Sequence, residues 1–408
     1  MDTLKNKIKK LDEGSIVTPA GFKATGLHAG MKRKRNDLGL IYCEKPANTA
    51  AVYTLNQIQA APLQVTKDSI AKEGKIQAII VNSGNANACT GEQGEKDALK
   101  MRDVTAERFN LPEHYVAVAS TGVIGVEMPM DKIIPQIEHL HPEATDENAA
   151  QFNEAILTTD VVTKSTCYQT TIDGKTVTMG GSAKGSGMIK PNMATMLAFV
   201  TTDATIESDM LELALKEVTN QTFNCITVDG DTSTNDTALV MASGLAGNKS
   251  LTPAHEDWNL FKKLLQQTCE DLAKAIARDG EGATKLIEVE IVGAADDHQA
   301  IQVAKTVVGS SLVKTAVFGA DANWGRIIMA IGNSGTELNP QTIDMSMGEI
   351  QLLKNSEPLH FSEEEATAYL KNKDVNIKVN LNIGTGTGKA WGCDLTYDYV
   401  RINASYRT

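Results

Sequence analysis

The segment from Lys184 to Asp203 constrains the fold more than any other part of the 408-residue chain. Its first half is rich in glycine and leads to Pro191, which fixes its own φ angle and disfavours helix at the preceding residue. Its second half is the short apolar run Met196–Val200, which contains an aromatic and a β-branched residue and is followed by two threonines. The pattern predicts a loop that leads into a buried strand.

Thr195 stands at the junction of this loop and the predicted strand, directly after the small residue Ala194. A hydroxyl at the first position of a core strand is held rigidly, and a substrate can approach it from the loop side. The plainer interpretation is a strand-edge threonine that follows a surface loop. On this segment alone the plainer interpretation is favoured, so the decision depends on the rest of the chain.

The segment around Thr195 resembles the self-cleavage site of the ornithine acetyltransferase (glutamate N-acetyltransferase) family of arginine biosynthesis. The resemblance extends over essentially the whole chain through motifs that occur in the family's order: Gly21–Ala24, Val81–Gly91, Ser120–Gly125, Thr158–Asp160, Ala183–Asp203, Asp229–Thr237, Asp279–Lys285, Phe318–Ile327 and Ala390–Thr408. Departures are modest, such as Lys190 where a small residue is usual and Ala322 where a proline is usual. Neither departure removes a reacting group.

The resemblance implies an enzyme that processes itself. The bond between Ala194 and Thr195 breaks by the protein's own action, and Thr195 becomes the N-terminal nucleophile of the second fragment. Its hydroxyl attacks the Ala194 carbonyl, the acyl group moves from nitrogen to oxygen, and water hydrolyses the resulting ester. The new α-amine has a reference pKa of about 7.7–8, so it can serve as the base for its own hydroxyl.

The other functional residues of the family map onto both sides of Thr195. The resemblance implies that Thr121 and Gly122 form the oxyanion hole, which stabilises the charge that develops when Thr195 attacks an acetyl carbonyl. It implies substrate contacts at these residues: Thr158, Lys184, Thr195, Glu281, Asn403 and Thr408. We expect Lys184 to hold a substrate carboxylate and Glu281 to hold an amine.

The implied reaction is an acetyl transfer in two steps. N2-acetylornithine acylates Thr195 and ornithine leaves, and glutamate then accepts the acetyl group; no metal or cofactor is implied. Whether acetyl-CoA is a second donor, which would make the enzyme bifunctional, stays open. Two alternatives also stay open: an N-terminal-nucleophile aminopeptidase or amidase that passes the acyl group to water, and an uncleaved, inactive protein that binds amino-acid derivatives.

Composition limits the partners of the chain. A formal charge of −12 offers no basic surplus for nucleic acid, and the basic run Lys32–Arg35 is short enough to be a solvated turn. Six scattered cysteines form no CxxC pair, which argues against a zinc site and a disulfide framework.

Met1–Gly14 lacks the apolar core of a secretory signal, and no apolar run reaches the length of a membrane span. We therefore expect a cytoplasmic protein with small-molecule substrates, and the resemblance implies a heterotetramer of two copies of each fragment.

Alternating strand-like and helical patterns predict an α/β chain with mixed sheets packed against helices, divided into fragments 1–194 and 195–408. Strands are predicted at Ile76–Val81 and Tyr115–Ala119, each followed by a polar turn. Helices are predicted over the following ranges: Glu95–Asn110, Asp146–Thr158, Asp209–Thr222 and Glu256–Arg278. Ser362 and Glu365 predict a capping box for a later helix.

Three further patterns lie in the second half of the chain. Gly384–Lys389 is similar to a phosphate loop but lacks its first glycine and its Ser/Thr, so we interpret it as the turn of a hairpin that joins strands 376–383 and 391–400. The alternation over Cys393–Asn403 predicts a strand that anchors the chain end. Asp229–Ser233 is similar to a calcium loop, but Thr234 and Val240 replace its glycine and glutamate. Because it begins the family motif Asp229–Thr237, the resemblance implies a position beside the active site.

Overall fold

The computed structural model describes residues 4–190 and 196–405. Ala194, Thr195 and Thr408 therefore lie outside the described residues. The strands, in chain order, are β1 (Lys9–Lys10), β2 (Phe22–Leu27), β3 (Leu38–Tyr53), β4 (Lys75–Asn85), β5 (Val116–Val123), β6 (Lys164–Ile172), β7 (Lys175–Lys184), β8 (Leu197–Thr202), β9 (Ile226–Thr227), β10 (Thr237–Ala242), β11 (Leu286–Ala294), β12 (Asp344–Met347), β13 (Ile350–Lys354), β14 (Glu357–Pro358), β15 (Asp374–Asn380) and β16 (Gly386–Cys393). The helices are α1 (Ala61–Glu73), α2 (Gly91–Phe109), α3 (Met130–Ile137), α4 (Asp146–Ala155), α5 (Ser208–Gln221), α6 (Trp258–Arg278), α7 (Asp297–Gly309), α8 (Ser311–Phe318), α9 (Trp324–Gly332), α10 (Glu363–Leu370) and α11 (Tyr397–Ser405).

A mixed sheet forms the centre of the molecule, in the order β1-β6-β7-β8-β10-β3-β4-β5, with β2 also paired to β3. The long strand β3 pairs with β2 and β4 through its first half and with β10 through its second half, and its register with β4 shifts between Tyr42 and Ala47. Ile79 of β4 shares a buried cluster with Phe199 of β8 and Leu239 of β10. The two halves of the sheet therefore face each other across a bend in β3.

Helices cover the outer faces of this folded sheet. On one side, Met101 of α2 and Ile133 of α3 are buried in a cluster with Ile80 of β4. On the other side, Leu264 and Leu272 of α6 belong to the largest cluster, which also contains side chains of β7, β8 and β10. Because helix and strand side chains share these buried clusters, the predicted α/β layering is confirmed. Each large apolar side chain buried in this way contributes roughly 1.5–3 kcal/mol to stability.

A second sheet has the order β14-β13-β12-β15-β11-β16-β9, and all of its strands follow residue 195 in the chain. The first sheet, in contrast, contains β1–β7 from before that residue and β8 and β10 from after it. The segments 1–194 and 195–408 are therefore interleaved in the first sheet. Their existence as two separate fragments stays a prediction.

Most of the elements predicted from sequence are found close to their predicted bounds. The apolar run after Thr195 is the strand β8, and α4, α5 and α6 correspond to predicted helices, whereas α2 begins at Gly91, four residues before the predicted start at Glu95. The Ser362 hydroxyl accepts a hydrogen bond from the Glu365 N–H at 3.2 Å, so the predicted N-cap of α10 is confirmed.

Two predictions for the C-terminal region are wrong. The strands β15 and β16 do not form a hairpin, because β11 lies between them, parallel to β15 and antiparallel to β16. The chain end is not a strand, because β16 ends at Cys393 and residues Tyr397–Ser405 form α11. Just before the helix, the Thr396 hydroxyl accepts a hydrogen bond from the Asp398 N–H at 3.2 Å, a local side-chain contact that favours the start of a helix at this point.

Candidate active site

A cavity of about 460 Å³ brings most of the predicted site residues together. Its lining includes these six residues implied by the family resemblance: Thr121, Gly122, Thr158, Lys184, Glu281 and Asn403. A larger cavity of about 980 Å³, next to α5, α7 and α9, contains none of them among its lining residues. The smaller cavity is therefore the candidate active site.

The loop 228–236 and the first residue of β10 hold the chain on both sides of segment 191–195. Before the segment, the Thr232 hydroxyl donates a hydrogen bond to the Lys190 carbonyl at 2.8 Å. After the segment, the Thr237 N–H donates to the Met196 carbonyl at 2.9 Å, at the start of the parallel pairing of β8 with β10. The loop that carries the calcium-like motif, together with Thr237, thus fixes the two ends that flank Ala194 and Thr195.

Asp229 shapes the glycine-rich approach to this segment. Its carboxylate oxygens accept hydrogen bonds from the backbone N–H groups of Met188 at 2.6 Å and Ile189 at 2.9 Å. Met188 has a φ of 57°, a left-handed conformation that is unfavourable for a side chain of its size, and the carboxylate compensates for part of that cost. Burial raises the pKa of Asp229, and these N–H groups oppose the rise. The expectation that the motif lies beside the site residues is confirmed, because Asp229 also lines the cavity.

Thr121 and Gly122 occupy the end of β5, where the backbone leaves no room for a side chain. Gly122 has a φ of 136°, and a Cβ atom there would lie 2.4 Å from the carbonyl carbon of Gly84. The side-chain amide of Asn235 donates hydrogen bonds to the carbonyl of Ser120 at 2.8 Å and to that of Ala86 at 2.5 Å. The end of β5 is thus hydrogen-bonded to the loop that leads into β10.

Lys184, the last residue of β7, places a buried ammonium group in the cavity, with 7% of the residue exposed. Its Nζ donates a hydrogen bond to the Thr121 hydroxyl oxygen at 3.2 Å, and no carboxylate of the described residues forms a salt bridge with it. Burial lowers the pKa of Lys184, and the nearby Asp160 carboxylate opposes this effect. A buried cation without a direct anionic partner is a suitable binding site for a substrate carboxylate.

Asp160 holds the predicted binding residue Thr158 in position, together with Gly185, the residue that follows Lys184. Its carboxylate accepts hydrogen bonds from Lys164 Nζ at 2.6 Å, from the Gly185 N–H at 2.7 Å and from the Thr158 N–H at 3.0 Å. Burial alone would raise the pKa of Asp160, but the ammonium groups of Lys184 and Lys164 outweigh it and lower that pKa well below its usual range. The sequence placed Asp160 in a family motif without indicating this role.

Glu281 and Asn403 face each other across the cavity rim. The Asn403 side-chain amide donates a hydrogen bond to Glu281 Oε2 at 2.8 Å and another to the Tyr399 carbonyl one helical turn earlier at 3.0 Å. A Cβ atom at Gly187 would lie 2.4 Å from the Glu281 carboxyl, so the glycine makes room for that carboxylate. Tyr399 and Asn56 also line the cavity, and neither was among the site residues predicted from the sequence, although Tyr399 lies within the motif Ala390–Thr408.

The basic run Lys32–Arg35 is a turn, as predicted, but it is only partly solvated. The last three residues are exposed, whereas Lys32 is half-buried and its ammonium donates to the carbonyls of Glu154 at 3.4 Å and Leu157 at 2.9 Å. Burial lowers the pKa of Lys32 to about 8. The run also lines a neighbouring cavity, and Thr158 is a lining residue both of that cavity and of the candidate site.

Comparison with known proteins now adds to this geometry. The model of the ArgJ family matches residues 23–408. The chain belongs to the ArgJ family. It is 68% identical over 402 residues to the arginine biosynthesis bifunctional protein ArgJ of Halalkalibacterium halodurans and 62% identical to that of Geobacillus kaustophilus, with 98% of each chain covered in both cases. The family resemblance recognised from the motifs, and with it the class of arginine-biosynthesis acetyltransferases, is confirmed.

Two solved structures of the family are also similar to the chain. A crystal structure of the bifunctional protein ArgJ from Bacillus halodurans is 66% identical and covers 46% of this chain and 98% of its own, with a TM-score of 0.46. An ornithine acetyltransferase from Mycobacterium tuberculosis, complexed with ornithine, is 35% identical and covers 46% of this chain and all of its own, with a TM-score of 0.43.

Two features are absent from the residues that the structure describes. In those residues, no group of three or more His, Cys, Asp and Glu side chains is placed to hold a metal ion. Nor does any helix in the described ranges combine the length and the apolar character that crossing a membrane requires.

Proposed function

We propose that this protein transfers the acetyl group of N2-acetylornithine to glutamate through an acetyl ester on Thr195. The nucleophile is freed when the chain cleaves itself between Ala194 and Thr195, which gives fragments 1–194 and 195–408. The observation that carries the proposal is the convergence of six family-type site residues on one cavity, beside which the loop 228–236 and the first residue of β10 hold both ends of segment 191–195.

In the first step, the Thr195 hydroxyl attacks the acetyl carbonyl of the donor while the α-amine of Thr195 takes its proton. The developing oxyanion is stabilised by Thr121 and Gly122 at the end of β5. The C–N bond of the donor then breaks, and the amine of ornithine leaves with the proton that the α-ammonium returns. In the second step, the amine of glutamate attacks the ester carbonyl carbon and forms the new C–N bond. The bond between that carbon and Thr195 Oγ breaks, and the proton that the glutamate amine loses returns to Oγ through the α-amine of Thr195. The residues supply all of these steps without a cofactor.

The charges around the cavity complement those of the donor. N2-acetylornithine has a carboxylate and a side-chain ammonium, and the cavity offers the buried Lys184 ammonium and the Glu281 carboxylate. Thr158 lines the same cavity, and Asn403 orients the carboxylate of Glu281. Thr408, which the family resemblance adds to the binding residues, completes the proposed set. We also propose a cytoplasmic heterotetramer of two copies of each fragment.

The test begins with the intact mass of the purified protein under denaturing conditions. The expected result is two species, the second beginning at Thr195, while Thr195→Ala stays a single chain of 43.8 kDa. Acetyl transfer from N2-acetylornithine to glutamate is then measured on both proteins, with acetyl-CoA as an alternative donor to decide whether a second donor reaction exists. An active, cleaved Thr195→Ala protein would overturn the proposal. Release of free acetate without glutamate, at the rate of transfer, would show an amidase instead.

A further inference from the structure

The basic run Lys32–Arg35 has no part in the proposed transfer from N2-acetylornithine. It places four cations in succession, although the chain as a whole has a formal charge of −12. All four line one cavity of about 530 Å³, here called the basic cavity. Within the described ranges, none of the four forms a salt bridge with a carboxylate. The run therefore concentrates positive charge at one place on a chain whose net charge repels anions.

The carboxylate of Asp37 holds the backbone of this run in one conformation. The residue is fully buried, and its oxygens accept hydrogen bonds from the N–H groups of Ala29 at 2.6 Å, Met31 at 2.7 Å and Lys32 at 2.8 Å. A turn that is already ordered loses less conformational entropy when a ligand binds to it. The basic run is therefore preorganised for binding.

The side chains of the run divide into two fixed and two free cations. The Arg35 guanidinium donates a hydrogen bond to the Asp160 carbonyl at 2.9 Å, and the Lys32 ammonium donates to the carbonyls named above. Arg33 and Lys34 are exposed, and their side chains form no hydrogen bond or ion pair with the residues that the structure describes. The two free cations are available to an anionic ligand in the cavity that they line.

The basic cavity adjoins the candidate active site. Thr158 and Thr159 are lining residues of both cavities. The candidate site, at about 460 Å³, already falls within the range of volumes that hold a drug-sized ligand, so an amino-acid substrate needs no second cavity. A ligand that uses both cavities is longer than N2-acetylornithine or glutamate and has its anionic part at the basic run.

We infer that the basic cavity binds the phosphate groups of a second acyl donor, an acetyl thioester of a phosphorylated carrier, whose acetyl end enters the candidate active site. This inference rests on the proposed function, in which a donor acylates Thr195. Thr195 Oγ bonds to the thioester carbonyl carbon, and the C–S bond breaks with its electron pair on sulfur. The proton that Oγ loses passes through the α-amine of Thr195 to the sulfur, so a free thiol leaves.

The experiment compares three acetyl donors to glutamate on cleaved full-length protein: acetyl-CoA, S-acetylpantetheine, which has the same thioester but no phosphate, and N2-acetylornithine. The variant is Arg33→Ala with Lys34→Ala, and its folding is checked by Tm. We expect its KM for acetyl-CoA to rise at least about 10-fold, with the other two KM values within twofold of the wild type. Lys371→Ala with Lys373→Ala removes two exposed charges that line neither cavity, and it should change none of the three.

An unchanged KM for acetyl-CoA, or an equal rise for S-acetylpantetheine, would overturn the inference, because the run would then not act on the phosphates. Adenosine 3′,5′-bisphosphate should compete with acetyl-CoA in the wild type. If it instead changes kcat with N2-acetylornithine and does not compete with acetyl-CoA, the cavity takes a free phosphorylated effector and the donor assignment is wrong.

The two proposals fail in distinguishable ways. A wild-type protein that transfers acetyl groups from N2-acetylornithine but not from acetyl-CoA would overturn this inference alone. A wild-type protein that transfers from neither donor would overturn the proposed function and this inference together.

Discussion

The Lys184 ammonium donates a hydrogen bond to the Thr121 hydroxyl oxygen at 3.2 Å, which links the proposed carboxylate-binding residue with the proposed oxyanion hole. The two residues come from β7 and β5, strands that lie on opposite sides of the bend in β3. If a substrate carboxylate binds at Lys184 as proposed, it will therefore act on the hydroxyl of the proposed oxyanion hole. The two halves of the folded sheet must stay in register for the site to work.

Replacing Lys184 with methionine should weaken donor binding strongly. A hydrogen bond to a charged group contributes about 1.5–3 kcal/mol, so the KM for N2-acetylornithine is expected to rise about 10- to 150-fold. The measurement is steady-state kinetics on protein shown by mass to be cleaved. Lys100→Met removes one positive charge from an exposed position of α2 and serves as the control. A KM within twofold of the wild type for Lys184→Met would remove Lys184 from the binding role.

Two glycines with positive φ angles provide a matched test of the strand end at Thr121. In Gly122→Ala, the new methyl group would lie 2.4 Å from the Gly84 carbonyl carbon, whereas at Gly125, with a φ of 75°, no heavy atom lies within 4 Å of the added carbon. Gly125→Ala should lower the free energy of unfolding by only about 1–2 kcal/mol, because a residue with a Cβ atom is less stable than glycine in the left-handed conformation. Gly122→Ala should lower the free energy of unfolding by more than Gly125→Ala does. If the backbone shifts instead to accommodate the methyl group, the proposed oxyanion donors will move and kcat should fall about 100-fold.

Urea unfolding and kcat, measured on both glycine variants, decide this comparison. If Gly122→Ala and Gly125→Ala behave alike in both measurements, the close approach of β5 to Gly84 does not shape the oxyanion hole. A loss of kcat confined to Gly122→Ala, with little change in the free energy of unfolding, would place the whole effect in the geometry of the hole.

Asn403 should influence the donor more than the acceptor, because it orients the carboxylate proposed to bind the ornithine side-chain ammonium. Asn403→Ala removes the 2.8 Å hydrogen bond to Glu281, and we expect a roughly tenfold rise in the KM for N2-acetylornithine with a smaller change for glutamate. Arg401→Ala is the control on the same helix, because the ion pair of Arg401 with Asp398 is exposed. Equal effects on the two substrates would assign Asn403 a general structural role.

The sequence contained enough information to predict six residues that line the candidate site, but not the way in which they are held. Thr121, Lys184 and Glu281 could be predicted because they lie in motifs with a recognisable order. The position of β11 between β15 and β16 could not be predicted in this way. β11 is distant in sequence from both strands, and no local pattern encodes pairing across such a separation. The alternating pattern likewise predicted a C-terminal strand where the chain forms α11, at whose start the Thr396 hydroxyl accepts a hydrogen bond from the Asp398 N–H.

The positioning residues were missed for a related reason. Asp160 and Asn235 act through backbone groups, the first on the N–H groups of Thr158 and Gly185 and the second on the carbonyls of Ala86 and Ser120. Every residue of a chain offers such backbone groups, so the sequence does not mark which of them will be bound. Only the folded geometry identifies these contacts.

Asp160 should contribute stability that depends on pH. Its pKa is lower in the folded protein than in the unfolded chain, where the reference value is about 3.9, so the stabilisation is complete above that value and is lost as the pH falls through the folded pKa. Asp160→Asn should lower the free energy of unfolding by about 3–5 kcal/mol at pH 7, toward the lower end because Lys164 keeps its 2.6 Å ion pair with Asp279.

The difference between wild type and Asp160→Asn should then stay constant from pH 7 to about pH 5 and shrink below about pH 4, where the carboxyl of the unfolded chain binds a proton. Urea unfolding at a series of pH values measures this difference. Glu212→Gln breaks an exposed ion pair with Lys216 and should cost less than about 1 kcal/mol at every pH. A difference for Asp160→Asn that stays the same from pH 7 to pH 2 would mean that the charge of Asp160 does not stabilise the fold.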